Sequence, residues 1–332
     1  MNEPANGLQH RTIQANGLEM HVAEQGTGPL VLLVHGFPEN WYAWRHQLPA
    51  LAEAGYRAAA PDMRGYGQTS RPAATEAYAL KHLVADMVGL LDALEVERAV
   101  IVGNDWGATV AWQAALTRPD RFQGVVALGV PLMGRPPAPP TTFFPQTADE
   151  WFYTLYFQEP GLAEAELERD VQASLRKILF AAAGEAGPRW PGDATPNPFG
   201  LVSRAHGLLA SLPDPVSLPP WLSETDLATY TAAFRASGFS GALNYYRNLD
   251  RNWSDQAEFA DLKLEVPALY LVGERDTGLA IPGMTEIIAA MPRLAPKLRG
   301  VVRLPGAGHW LPQERPQEVS DAIIEFMKGL NI

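Results

Sequence analysis

The segment Gly103-Asn104-Asp105-Trp106-Gly107 follows a continuous apolar run at 99–102 and leads directly into a helical pattern. Glycines two before and two after a central residue permit a sharp strand-to-helix turn with close backbone approach. Such a turn lifts the central side chain above the carboxyl edge of a sheet. There it stands at a helix N-terminus, where peptide N–H groups favour negative charge. Where serine is the nucleophile, the central residue is Ser; here it is Asp105. A carboxylate suits attack on a saturated carbon bearing a leaving group. The product is an ester whose carbonyl activated water can attack, whereas an alkylated serine would be an ether that resists water. Epoxides and alkyl halides are the two substrate classes that fit. The competing interpretation is that Asn104 or Asp105 merely caps the helix.

Three further segments supply what such a nucleophile needs. The run Leu30–Val34 ends in His35-Gly36-Phe37-Pro38, a loop that can turn a backbone N–H toward the elbow. With the N–H of Trp106 it makes a two-donor oxyanion hole, His35 serving as support for the loop. The run 268–272 ends in a loop carrying Glu274 and Asp276, and the run 301–304 is followed by Gly306-Ala307-Gly308-His309-Trp310. Nucleophile, acid and base in this chain order match the order of the α/β-hydrolase fold. Asp62, in Pro61-Asp62-Met63-Arg64-Gly65-Tyr66-Gly67, is a rival acid that more naturally organises its own loop. The stretch 128–135 has no carboxylate and is excluded as the acid's source. No G-x-S-x-G occurs, and Gly238-Phe239-Ser240-Gly241 is a near miss without a preceding strand, which disfavours a serine esterase or peptidase.

The elements that must position these residues follow from hydrophobic patterning. The runs Leu30–Val34, 99–102, 125–130 and 268–272 are continuous rather than alternating, as strands buried on both faces of a parallel sheet are. A fifth run, 56–60, is less apolar and ends at Pro61. Leu80, Leu83, Val84, Met87, Leu91 and Leu94 recur at helical spacing, as do Val319, Ile323, Ile324 and Met327. Asn16-Gly17 between two strand-like runs predicts an antiparallel hairpin at the start. The pattern breaks after Pro131: fifteen of the 29 prolines lie between residues 131 and 220, and no buried-strand run appears there. Leu167, Val171, Leu175, Ile178 and Leu179 mark a helical face within that stretch. The expectation is an α/β fold, a mostly parallel sheet flanked by helices. Its core comprises 1–132 and 251–332, and a helical lid, or cap, is inserted at 133–250.

Composition narrows the function classes. The chain of 332 residues carries 26 Lys and Arg against 37 Asp and Glu, so 26 − 37 gives a net charge of −11. An acidic surface argues against nucleic acid as a partner. There is no cysteine, which excludes disulfides, thiolate metal sites and a cysteine nucleophile. No run of 18 apolar residues provides a membrane span, and the opening residues lack the pattern of a secretory signal, so the expected setting is the cytoplasm. Oligomeric state is not encoded in any pattern found.

The insertion contains Trp151-Phe152-Tyr153-Thr154-Leu155-Tyr156-Phe157-Gln158-Glu159-Pro160 and Asn244-Tyr245-Tyr246-Arg247-Asn248. Tyrosine hydroxyls are neutral donors at pH 7 and can grip an epoxide oxygen. Aromatic packing in a lid is the other interpretation of the same runs. With HGFPE (35–39), PDMRGYG (61–67), GNDWGA (103–108), YFQEPG (156–161), SGFSGALNYYRN (237–248) and GAGHW (306–310), the chain resembles the α/β-hydrolase-fold epoxide hydrolases, and especially the hydrolase domain of the soluble epoxide hydrolases. The resemblance spans residues 30–327. It implies Asp105 as nucleophile, Asp276 and His309 as the water-activating pair, Tyr153 and Tyr246 as ring-opening acids, and Tyr156 and Tyr245 as packing residues. The backbone N–H groups of Phe37 and Trp106 then form the oxyanion hole. It further implies hydrolysis of a small apolar epoxide with water to a vicinal diol, without cofactor or metal. Trp106, Trp151, Phe152 and Phe37 are expected to line the pocket. Asn104 stands where these enzymes often carry His, and 190–199 has no usable counterpart. A haloalkane dehalogenase using the same acid, base and nucleophile, with Trp106 as halide donor, is the alternative; a non-catalytic small-molecule receptor on this fold is a more distant one.

Overall fold

A computed structural model describes residues 7–186 and 200–330, so the segment 190–199 lies outside the described residues. The hairpin expected at Asn16-Gly17 forms between β1 (Gln9–Ala15) and β2 (Leu18–Gln25). Both turn residues take positive φ, 49° and 77°, the geometry that matches the twist of the flanking strands. The remaining strands of the main sheet are β3 (Leu30–Val34), β4 (Arg57–Pro61), β5 (Ala99–Asn104), β6 (Phe122–Leu128), β9 (Ala268–Gly273) and β10 (Leu298–Leu304), while β7 (Glu150–Phe152) and β8 (Leu201–Ser203) form a separate pair. The eight strands run in the order β1-β2-β4-β3-β5-β6-β9-β10. The β1–β2 and β2–β4 pairs are antiparallel, and every other pair is parallel.

The continuous apolar runs have a direct cause. On β3 and β5, Leu32, Val34 and Ile101 pack on one face of the sheet while Val31, Leu33, Val100 and Val102 pack on the other. Helices α2 (Leu80–Ala93) and α3 (Trp106–Thr117) cover the first face, and α1 (Gln47–Glu53) and α12 (Pro316–Lys328) the second. The run at 125–130 ends as a strand at Leu128, two residues early, because Gly129 turns to φ 76°. The run at 301–304 extends back to Leu298. Its weak pattern reflects an edge strand whose exposed and half-buried residues alternate.

Strands β6 and β9 pair directly, Val125 against Ala268, although 129–267 lies between them in the chain. That stretch carries α4 (Tyr153–Tyr156), α5 (Leu162–Leu167), α6 (Val171–Ala181), α7 (Glu224–Ser237), α8 (Ser240–Arg247) and α9 (Leu249–Asp255). It also carries a two-stranded antiparallel pair, β7 (Glu150–Phe152) with β8 (Leu201–Ser203), which sequence patterning did not reveal because three residues are too few to show a period. Helix α9 runs through the expected boundary at 250. Helices α10 (Met284–Leu294) and α11 (Leu311–Glu314) complete the fold.

Ile101 is fully buried at the centre of β5. Ile101→Ala should lower unfolding free energy by about 2–5 kcal/mol, read as a lower urea midpoint.

Candidate active site

Strand β5 passes into α3 through Asp105, whose φ of 53° and ψ of −120° lie in a region that non-glycine residues rarely enter. The flanking glycines make the turn possible. A Cβ on Gly107 would lie 1.9 Å from the Val34 carbonyl oxygen, and one on Gly103 would lie 2.0 Å from that of Gly107. Gly36 is equally constrained, since its Cβ would fall 2.4 Å from Asp105 Oδ1. Freed of that atom, the loop after β3 lets Phe37 N–H donate to Asp105 Oδ1 at 2.8 Å. Trp106 is the first residue of α3, where peptide N–H groups have no partner within the helix.

The loops after β9 and β10 bring the other two groups. His309 Nε2 lies 3.3 Å from Asp105 Oδ2, and His309 Nδ1 lies 2.9 Å from Asp276 Oδ2. Asp276 is completely buried and also accepts from Gly278 N–H at 2.7 Å. Burial disfavours charge on His309, but Asp276 first and then Asp105 outweigh it and hold the imidazole well above its usual range. Asp62 is committed elsewhere: it meets His21 Nδ1 at 2.9 Å and accepts from the Trp41 and Gln68 N–H groups. His35 accepts from Met63 N–H, which ties the two loops together and leaves His35 in a supporting position.

Above Asp105 opens a cavity of about 620 Å³ with a mainly apolar lining. Phe37, Trp106, Phe152, Tyr153 and Tyr246 line it, together with His309 and Asp276. Trp151 does not. On β7 successive side chains face opposite ways, so with Phe152 turned to the cavity the Trp151 indole lies under Arg204, 4.1 Å away, and against Tyr156. The rings of Tyr153 and Tyr246 are 6.1 Å apart, and Tyr246 packs edge-on to both Phe37 and Trp106. Burial and then the Asp105 charge raise the phenol of Tyr153 above its ordinary value. The same two causes hold Tyr246 well above it, with the Trp106 side chain acting the other way. Both are therefore neutral donors at physiological pH. The neighbouring tyrosines point elsewhere: Tyr156 donates to Glu166, and Tyr245 to the Arg64 carbonyl at 3.0 Å.

Asn104 faces away from the cavity, fully buried, with its amide 3.4 Å from Glu39 Oε2. Sequence reasoning did not single out Glu39, although a carboxylate directly after the His-Gly-Phe-Pro turn was a signal. Burial pushes its carboxyl up to about 7, and Gln313 donates to its other oxygen at 2.8 Å. Among the described residues no group of side chains is arranged to hold a metal ion, and no helix is long and apolar enough to cross a membrane.

An acidic side chain on a glycine-flanked strand-to-helix turn, facing a His and an Asp from later strand ends, defines a hydrolase of the α/β fold. The model of the alpha/beta hydrolase fold family matches residues 29–316. Epoxide hydrolase A of Mycobacterium tuberculosis is 45% identical, over 97% of this chain and 98% of that one. Epoxide hydrolase 3 of Siraitia grosvenorii is 42% identical, over 96% and 98%. The solved structure of an epoxide hydrolase from an endophytic Streptomyces superposes with a TM-score of 0.91 at 44% identity, covering 97% of this chain and 96% of the other. The chain belongs to the epoxide hydrolases of the α/β-hydrolase fold.

A methyl group at Gly36 would displace the Asp105 carboxylate. Gly36→Ala should lose more than about 10²-fold in turnover, the scale set by misplacing a reacting group by about 1 Å. Steady-state assay against an unchanged circular dichroism spectrum checks this.

Proposed function

We propose that the protein opens epoxides to vicinal diols in two covalent steps. Asp105 Oδ2 attacks one ring carbon while the hydroxyls of Tyr153 and Tyr246 donate to the departing oxygen. Asp105 Oδ1, already held by Phe37 N–H, becomes the carbonyl oxygen of the ester. His309, oriented by Asp276, then takes a proton from water as the water attacks that carbonyl. The N–H groups of Phe37 and Trp106 receive the developing oxyanion, a contribution of roughly 10²–10³ in rate per donor. Collapse of the tetrahedral intermediate returns that proton to the leaving alkoxide and frees the diol, and the proton left on the Asp105 carboxyl passes to His309, which restores the resting pair.

The order of events has an electrostatic logic. In the resting site two carboxylates keep His309 charged. Esterification neutralises Asp105 and removes one of them, while burial continues to disfavour the cation. The imidazolium therefore gives up its proton, which replaces the one the tyrosines passed to the opened oxygen, and becomes a base when a base is needed.

The observation that carries this mechanism is the placement of two neutral tyrosines on the cavity wall within the electrostatic reach of Asp105. A dehalogenase would use the Trp106 indole as a halide donor, whereas here the Tyr246 ring packs edge-on against that indole, 5.2 Å between centroids. The intact His309–Asp276 and His309–Asp105 contacts leave the receptor alternative without support. The proposal includes a helical cap inserted from 133, carried by α9 past the expected boundary at 250 to Asp255, over a core of 1–132 and 256–332. It also includes a small apolar epoxide as substrate and a cytoplasmic location, in keeping with a composition that needs no oxidising compartment.

His309→Gln should alkylate and then stall, so intact-mass analysis after exposure to an aryl epoxide should show protein heavier by one substrate. Unmodified protein would refute the base assignment. In a product assay, the wild-type protein should form diol from aryl and aliphatic epoxides and release no bromide from a bromoalkane.

Tyr153→Phe and Tyr246→Phe should each slow single-turnover alkylation by about 10²-fold or more, the scale of general acid assistance. Ester decay should stay close to the wild-type rate. Unchanged alkylation in both variants would remove the tyrosines from the mechanism.

A further inference from the structure

Glu314, at the end of α11, is a buried carboxylate that the mechanism above does not use. Its Oε1 accepts from Trp310 N–H at 2.9 Å, and its Oε2 accepts from Gly308 N–H at 2.7 Å and Gly184 N–H at 2.9 Å. The first of these bonds is an ordinary cap of a short helix. The other two are not, since Gly308 lies before the helix and Gly184 belongs to the segment after α6 in the insertion. Gly308 and Trp310 flank His309, so one carboxylate holds the chain on both sides of it. His309 N–H itself donates to the Ala182 carbonyl at 2.9 Å, and Trp310 Nε1–H to the Leu179 carbonyl at 2.6 Å. Neither glycine has room for a side chain. A Cβ on Gly308 would lie 2.4 Å from the Ala182 oxygen, and one on Gly184 would lie 2.1 Å from the Gly306 oxygen.

We infer that Glu314 is a positioning residue for ester hydrolysis: it clamps the His309 loop to the 182–184 segment of the insertion and so fixes the imidazole between Asp276 and Asp105. The inference rests on the assignment of His309 as the base. A carboxylate suits the task because three converging N–H donors require an acceptor on each oxygen, with no hydrogen on either. An amide cannot replace it. If the Gln oxygen takes the Oε2 position, Trp310 N–H faces an NH₂ group; if it takes the Oε1 position, Gly308 N–H does. Either way one peptide flanking His309 loses its acceptor and meets a donor.

The imidazole acts only in the second step, so the two steps should separate. Rapid-quench intact-mass analysis of single turnovers with styrene oxide resolves ester formation from ester decay. In Glu314→Gln, formation should stay within about threefold of wild type, while decay slows by about 10–10²-fold, as expected of a misplaced base. Accumulated ester should then lower kcat and KM together. Glu314→Asp, which keeps both acceptor oxygens but withdraws them by one methylene, should show the same split if the Gln variant fails to fold. Wild-type decay in a folded variant, or equal slowing of both steps, would overturn the inference. Ester persisting in His309→Gln while decaying normally in Glu314→Gln would reject the role of Glu314 alone. No ester in His309→Gln would instead reject the base assignment beneath it.

Discussion

Asp105 occupies a backbone conformation that its own Cβ opposes, at a cost of about 1–3 kcal/mol. The fold holds it there from several sides. Its N–H donates to the Leu128 carbonyl, its carbonyl accepts from Ala108 N–H, and its side chain takes the Phe37 N–H. Glycines at 36, 103 and 107 let three backbone segments approach more closely than any side chain allows. Everything else in the site is arranged around the point at which this turn places the carboxylate. The loops after β3, β9 and β10 all leave the same edge of the sheet and converge on it.

The sheet and the insertion divide the proposed chemistry. Groups that bear or exchange charge, Asp105, Asp276 and His309, stand in the turns and loops that follow β5, β9 and β10. The neutral donors, Tyr153 and Tyr246, come from α4 and α8 above. Each tyrosine is one of a close pair whose other member is tied into structure, Tyr156 to Glu166 and Tyr245 to the Arg64 carbonyl. Tyr245 and Tyr246 are consecutive on α8 and so face different ways, whereas Tyr153 and Tyr156 open and close the single turn of α4 and are parted by their different partners.

The strand ends were readable in the sequence because their signals are local. A glycine two residues either side of Asp105, and small residues before His309, are constraints on a few peptides and survive in any context. The buried strands were readable because both sheet faces are covered, which makes Leu30–Val34 and 268–272 apolar without interruption. The tyrosines were different. Spacing alone could not say which of Tyr153 and Tyr156, or of Tyr245 and Tyr246, meets the cavity, because that depends on how α4 and α8 settle on the sheet. Only the resemblance pointed to one of each pair. Trp151 was expected on the pocket wall for being aromatic and adjacent to Phe152, but adjacency on a strand puts it on the other face. Glu39 escaped notice because its surroundings, Asn104 and Gln313, are 65 and 274 residues away in the chain.

The route by which the chain leaves β6 and returns on β9 bears on modularity. Strands β6 and β9 are parallel, so the chain leaves one end of their ladder and must re-enter at the other, and a crossover of about a dozen residues or more is needed even without a lid. Helix α2 has no side-chain cap of its own at Ala79, and the Leu80 N–H is satisfied by Asn252 from α9. The Arg64 and Thr75 carbonyls likewise take their donors from Tyr245 and Asn248. A transplanted or shortened insertion must therefore bring substitutes for these hydrogen bonds. Exchange is thus limited twice, by the crossover that a parallel pair demands and by the polar seam of hydrogen bonds above the sheet.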